Sequence, residues 1–259
     1  MVKNKLFLEV GINHFGSTKL ANEYLKFFLN SDFKYLTFMI HNQNFYDKMK
    51  KKKKNFILPI SFYKKAIKAA HKRKKKIGLS VCDLKSYQYI KNLSFDFYKI
   101  LGVAINNEEL IKYLRLKKRN FYISLSSASN AKIKKCIQYF KTKKNLSFIY
   151  TAMSYDSKDL SLNLIKYIRD KYKLPVGYGN HFKNSLPIYL STFFNPSFYF
   201  IYIKLNTKKK ILYPDNTHSF FINELEEICD NITDTNFMLE KKKLENKIKI
   251  KSIIHEKKI

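Results

Sequence analysis

The sequence predicts an α/β chain closed into a (β/α)8 TIM barrel. Three observations predict it. Eight short apolar segments alternate with eight helical ones over about 230 residues, a length that suits one such barrel. The short segments are rich in β-branched and aromatic residues and mostly apolar on both faces, as parallel strands covered by helices should be. No G-x-G-x-x-G follows the first of them, so the rival doubly wound sheet lacks its usual glycine-rich turn.

In chain order, strands are expected at 6–12, 35–40, 77–81, 97–101, 121–125, 146–151, 176–179 and 198–205. The first and seventh run straight into polar residues and a glycine, Gly11-Ile12-Asn13-His14 and Gly179-Asn180-His181. Helical periodicity occupies 18–29, 61–74, 84–91, 108–114, 131–140, 158–172 and 186–193, with a last helix starting near Asn223. Leu162, Ile165 and Ile168 lay one apolar face along the sixth, 158–172. The lysine run 50–54 reads as a solvated loop. The run 72–76 ends a helix, where positive charge suits the macrodipole. From Thr233 onward the chain is lysine-rich, with Leu239, Leu244, Ile248 and Ile253 loosely spaced. The barrel is therefore expected over 1–232, followed by a tail or amphipathic helix over 233–259.

Bulk composition removes several function classes. The net charge of +31 invites a nucleic-acid reading, but only four of the 51 basic residues are arginine. Bidentate contacts to phosphates and bases favour arginine. The lysines are spread along the whole chain, so no dedicated nucleic-acid role is expected. No apolar run reaches the ~18 residues of a membrane span. Glu9 interrupts the apolar N-terminus, and no small-residue cleavage site follows, so no signal peptide is expected. Cys82, Cys136 and Cys229 are few, odd in number and far apart, which fits a reducing cytoplasm.

In a barrel of this kind the active site lies at the C-terminal ends of the strands. Glu9 places a carboxylate inside an apolar strand, which is costly unless the charge is paired or used. Lys99 does the same in strand four. Asn13 and His14 follow strand one, Asn180 and His181 end strand seven, Lys204 ends strand eight, and Asp215 lies beyond it. These positions converge on one face. The bland reading of each stays open, since structural ion pairs and satisfied core histidines are common. The serines of residues 124–127, Ser-Leu-Ser-Ser, suit an anion as well as an ordinary turn. Cys82, with no base nearby, reads as a packing thiol.

Several stretches resemble the sialic acid synthase family. Residues 8–16, LEVGINHFG, resemble its opening A-E-I-G-I-N-H-x-G. Lys99 with residues 104–107 resembles Y-K-I-x-S-G-E-x-x-N. Residues 161–165 and 174–181 resemble N-L-N-A-I…P-V-G-Y-S-D-H, and Tyr213-Pro214-Asp215 the P-D close of the barrel. The resemblance implies a synthase that condenses phosphoenolpyruvate with an N-acyl amino sugar, giving a nine-carbon keto sugar acid for surface glycans. It implies a divalent metal, Mn2+ or Mg2+, with His181 as its first histidine. It implies substrate contacts from Glu9, Asn13, His14, Lys99, Tyr155 and Asp215. A homodimer, or a complete synthase as partner, is also implied. The C-terminal antifreeze-like domain of such proteins is expected to be absent here.

The departures from the family pattern are specific. Thr37 stands where strand two carries a phosphoenolpyruvate lysine, with Met39 beyond it. Residues 102–104, Gly-Val-Ala, replace S-G-E, and Lys204 replaces the second metal histidine. Strands one and eight are neighbours in a closed barrel, so the Lys204 ammonium is expected to take the metal's place and pair with Glu9. Two readings follow: a metal-independent synthase using Glu9 and Lys204, or a non-catalytic relative that binds a sugar acid or a protein partner.

Overall fold

The structure, a computed structural model, describes residues 2–126, 128–207 and 211–240. Strands β1 (Leu6–Glu9), β2 (Tyr35–Ile40), β3 (Lys76–Val81), β4 (Phe97–Ile100), β5 (Asn120–Ser124), β6 (Leu146–Tyr150), β7 (Val176–Asn180) and β8 (Tyr199–Lys204) pair in sequence order. β8 pairs back onto β1, and every pairing is parallel. The ring is closed, as the alternation of apolar segments predicts.

Around the ring lie α1 (Thr18–Asn30), α2 (Gln43–Lys51), α3 (Ile60–Lys72), α4 (Leu84–Tyr87), α5 (Glu108–Leu114), α6 (Asn130–Phe140), α7 (Leu164–Tyr172), α8 (Leu186–Ser191) and α9 (Leu225–Leu239). Ser17, Asn42, Asn107 and Ser129 cap four of them, each side chain accepting a backbone N–H two or three residues into its helix.

Three expectations are corrected. β1 stops at Glu9 because Gly11, Phe15 and Gly16 take left-handed backbone conformations and turn the chain. Lys50 and Lys51 belong to the last turn of α2, not to a loop. The helix expected over 158–172 begins at Leu164 as α7, after a separate 3-10 turn at Ser157–Asp159. α9, the helix expected to start near Asn223, begins at Leu225 and runs to Leu239. Leu244, Ile248 and Ile253 of the expected tail lie outside the described residues, as does Ser127 of the serine turn.

A ninth strand, β9 (Ser219–Phe221), was not foreseen. It pairs parallel with the end of β8, matching Tyr202 with Ser219 and Lys204 with Phe221. β1 ends opposite Tyr202. β9 therefore supplies the hydrogen bonds that a longer β1 would have given the last residues of β8.

The lumen is filled in layers. Phe7, Phe97, Ile149, Phe198 and Phe200 form a buried aromatic plug, with Tyr35 and Tyr122 packed against it. Phe7 lies at its centre, stacked on Tyr35 (4.2 Å) and Phe200 (4.6 Å) and edge-on to Phe97 (5.1 Å). Gly78 leaves room for this layer: a Cβ there would come within 2.2 Å of the Phe97 ring. One step nearer the strand ends, the same inward-facing register brings Glu9, Lys99 and Tyr202 into the lumen. Phe7→Ala is expected to cost about 3–5 kcal/mol, because the closed ring cannot collapse around the hole. The check is a lower urea midpoint at an unchanged denaturant slope.

Candidate active site

The centre of the barrel mouth is a buried ion pair. Lys99 Nζ of β4 donates to Glu9 Oε2 of β1 at 2.6 Å, and both side chains are at most 3 % exposed. The ammonium lies 4.9 Å from the Phe200 ring centre and 5.5 Å from that of Tyr202. Ring faces favour a desolvated cation. Ser80 of β3 sends a long hydrogen bond, 3.4 Å, to the other carboxylate oxygen.

This overturns the expected pairing of Glu9 with Lys204. Lys204 sits two residues beyond Tyr202, the last β8 residue opposite β1, and faces β9 instead. Its ammonium donates to the carbonyl and side-chain oxygens of Asn216, at 3.1 and 3.3 Å, and lies 4.4 Å from the Phe221 ring centre. Lys99 reaches Glu9 across the lumen because both project inward from the same layer.

Asn13 ties the turn after β1 to the loop after β8. Its amide donates to Ile203 O (3.0 Å) and Ser219 Oγ (3.1 Å), and its oxygen accepts the Asp215 N–H (3.0 Å). Ser219 Oγ in turn donates to Asp215 O at 2.7 Å. Asp215 is thus held against the turn after β1. Gly11 permits the approach: besides its left-handed φ of +55°, a Cβ there would lie 2.5 Å from Asp215 Oδ2. Burial pushes the Asp215 carboxyl up to about 6; the Ile12 backbone N–H opposes this, and the Glu9 charge adds to it.

His181 does not stand alone. Its ring stacks on His218 with centroids 4.5 Å apart and planes 11° apart, and Tyr202 meets both rings edge-on. The Tyr155 hydroxyl lies 3.1 Å from His218 Nδ1. His218 Nε2 lies 3.9 Å from Asp215 Oδ1, too far for a hydrogen bond. Burial holds His218 down at about 4, with Lys99 and Lys204 adding to the shift. Burial, His218 and Lys99 hold His181 well below the ordinary value. Both imidazoles are neutral at pH 7, so His218 and Asp215 are not an ion pair there. His218 Nε2 and Asp215 Oδ2 are buried with no hydrogen-bond partner. Such orphaned groups cost about 1–3 kcal/mol each.

Two other expected residues lie away from this cluster. His14 packs near Phe38, whose ring meets Phe62 and Tyr63 of α3, so it lies on the helix side of β2. Its Nδ1 accepts the Gly16 N–H, and burial lowers it to about 4. Asn180 accepts from the Tyr178 hydroxyl and donates to Phe182 O. Thr37 is buried and donates to Leu8 O. Burial pushes the Cys82 thiol up to about 12, in keeping with a packing role.

The site therefore joins Glu9, Lys99, Tyr155, His181 and Asp215 with His218 and Tyr202. Sequence reasoning missed the last two. His218 lies only three residues beyond Asp215, and the shortness of that loop was the available signal. His181, the histidine expected to meet Mn2+ or Mg2+, shares its stack with His218. Among the described residues, no three His, Cys, Asp or Glu side chains converge on one point.

The NeuB family matches residues 23–244, and the chain belongs to this family. No curated protein sequence matches it. Its fold is similar to that of N-acetylneuraminic acid (sialic acid) synthetase from Leptospira borgpetersenii serovar Hardjo-bovis. That match has a TM-score of 0.81 and 18% identity, over 95% of this chain and 88% of the other. The spore coat polysaccharide biosynthesis protein from Bacillus subtilis is similar at a TM-score of 0.76 and 16% identity, over 90% and 68% of the two chains. A truncated 3-deoxy-D-arabino-heptulosonate 7-phosphate synthase from Thermotoga maritima follows at 0.65 and 12%, over 91% and 88%.

Removing one member of the Glu9–Lys99 pair leaves a buried charge unmatched. Lys99→Met is expected to lose about 3–5 kcal/mol, and the double variant Glu9→Leu with Lys99→Met to recover most of that loss. Chemical denaturation of both variants at pH 7 checks this. A double variant no more stable than Lys99→Met contradicts it.

Proposed function

We propose that the chain acts in polysaccharide biosynthesis as a sialic acid synthase-like enzyme, joining phosphoenolpyruvate to an N-acyl amino sugar. Family membership supports this reading, as does the likeness in fold to a sialic acid synthetase and a spore coat polysaccharide protein. The observation that carries it is the buried Lys99 cation at the barrel mouth, opposite a loop that presents Asp215 and His218.

In this reading Lys99 holds the anionic end of phosphoenolpyruvate. The arriving anion competes with Glu9 for the ammonium. Glu9 is then left beside the reacting carbons, able to accept a proton. Asp215 keeps its own proton to about pH 6 and faces the sugar. Lys204, held by Asn216, contributes positive potential at the rim rather than a charge on Glu9. Mn2+ or Mg2+, a second copy of the chain or a complete synthase as partner, and a cytosolic location all belong to the reading. No helix among the described residues is long and apolar enough to cross a membrane.

A second reading is favoured by the same ion pair. A lysine already neutralised by a carboxylate 2.6 Å away is a weakened anion receptor. Together with Thr37 in place of a second lysine, that suits a non-catalytic relative that binds a sugar acid.

Incubation with phosphoenolpyruvate and N-acetylmannosamine, with and without Mn2+, separates the two. The synthase reading expects phosphate release that depends on the sugar and is lost in Lys99→Met. Binding of phosphoenolpyruvate without turnover, across several amino sugars, would establish the second reading instead.

A further inference from the structure

One sector of the barrel wall departs from the rest of the surface. Every helix from α1 to α7 carries at least one lysine. α8 and α9 carry neither lysine nor arginine. Residues 184–203 hold no charged side chain, in a chain whose net charge is +31. α8 is nonetheless a surface helix. Pro187, Ile188 and Ser191 are buried. Leu186, Leu190 and Phe193 (the last in the 3-10 turn that continues α8) are spaced four and three apart and are 55, 44 and 62 % exposed. A stripe of large apolar side chains from which charge is withdrawn has the composition of an interface centre.

The two flanks of the stripe carry opposite charge. On one side lies α7, whose Lys166 and Lys171 border a groove against Phe194. Lys166 pairs with Asp170 within the helix at 2.5 Å, and Lys171 donates to the Tyr167 hydroxyl at 2.8 Å. Exposed pairs of this kind contribute little, so both ammoniums can be shared with a partner. On the other side lies α9, with four acids and no base. The Asn231 amide donates to the Tyr189 hydroxyl at 3.2 Å, which turns the edge made by Glu227, Asn231 and Asp234 toward α8. Among the described residues, the one ion pair made by α9 is that of Glu226 with Lys3, so Glu227 and Asp234 stand unpaired.

We propose that this wall is an interface with a second copy of the chain, centred on the α8 stripe, with a two-fold axis parallel to α8. That axis sets α7 of each copy opposite α9 of the other, base against acid, twice over. An axis across α8 would set α9 against α9 and α7 against α7. The lysine-free wall is also where two chains of charge +31 approach with least repulsion. An unrelated acidic partner would be drawn to the lysine-bearing walls instead. The interface lies outside the barrel and is argued without the chemistry of the mouth, so it stands independently of the synthase reading.

Analytical ultracentrifugation of the full chain at physiological salt is the test. The wild type is expected to sediment at twice the chain mass at micromolar concentration, and Leu190→Glu as a monomer. Glu227→Lys with Asp234→Lys makes both flanking edges basic, and Lys166→Glu with Lys171→Glu makes both acidic. Each double variant alone is expected to dimerise at least ~10-fold more weakly than the wild type. An equimolar mixture is expected to return to within about threefold of it, since every contact then pairs base with acid. That recovery also shows that both variants are folded. A monomeric wild type overturns the proposal, and so does a dimer unchanged by Leu190→Glu. Double variants that associate no better mixed than alone overturn the two-fold axis and the proposal with it. A monomer that still releases phosphate from phosphoenolpyruvate in the presence of the sugar leaves the synthase reading standing.

Discussion

The mouth of the barrel is organised by one buried contact, Lys99 against Glu9. Two charges at most 3 % exposed must satisfy each other, because neither reaches water. The rings of Phe200 and Tyr202 line the cation and exclude solvent from it. Below the pair, the aromatic layer around Phe7 fixes the strands that carry it. Above it, Tyr202 carries the stacked His181 and His218. The polar site is thus a single layer between an apolar floor and an aromatic rim. In such a low-dielectric layer, each dipole acts more strongly than it would in water.

The short β1 explains much of the rest. Because β1 ends at Glu9, the turn through Gly11 brings Asn13 under the end of β8 and the loop after it, where Asn13 donates to Ile203 O and Ser219 Oγ and accepts the Asp215 N–H. The same shortness frees the end of β8 for β9, and Lys204, two residues beyond the Glu9 layer, bonds Asn216 instead. One strand boundary accordingly decides which lysine meets the carboxylate and which residues face the substrate side.

The sequence made the ring legible because parallel strands covered on both faces must be apolar on both faces, and eight such segments stand out. It also identified Glu9 and Lys99, since charges inside apolar strands are conspicuous. The partner of Glu9 was not legible. Adjacency in the ring argued for Lys204, whereas the decisive quantity was depth along the barrel, which depends on where β1 stops. α2 was hidden by its many lysines, and β9 by being only three residues long. His218 was passed over because its place comes from ring stacking, which leaves no pattern in the chain. Asn13, His14 and Asn180 show the converse: polar residues at strand ends drew attention, but most of their bonding capacity goes to the protein itself.

The central claim is that Lys99 is the anion-holding group and that Glu9 occupies it until the anion arrives. Calorimetric titration of phosphoenolpyruvate into the wild type and Glu9→Gln at pH 7 tests this most directly. Removing the competing carboxylate while keeping its shape should tighten binding, by about tenfold if roughly 1.4 kcal/mol of attraction is released. Affinity that is unchanged or weaker in Glu9→Gln would contradict the account.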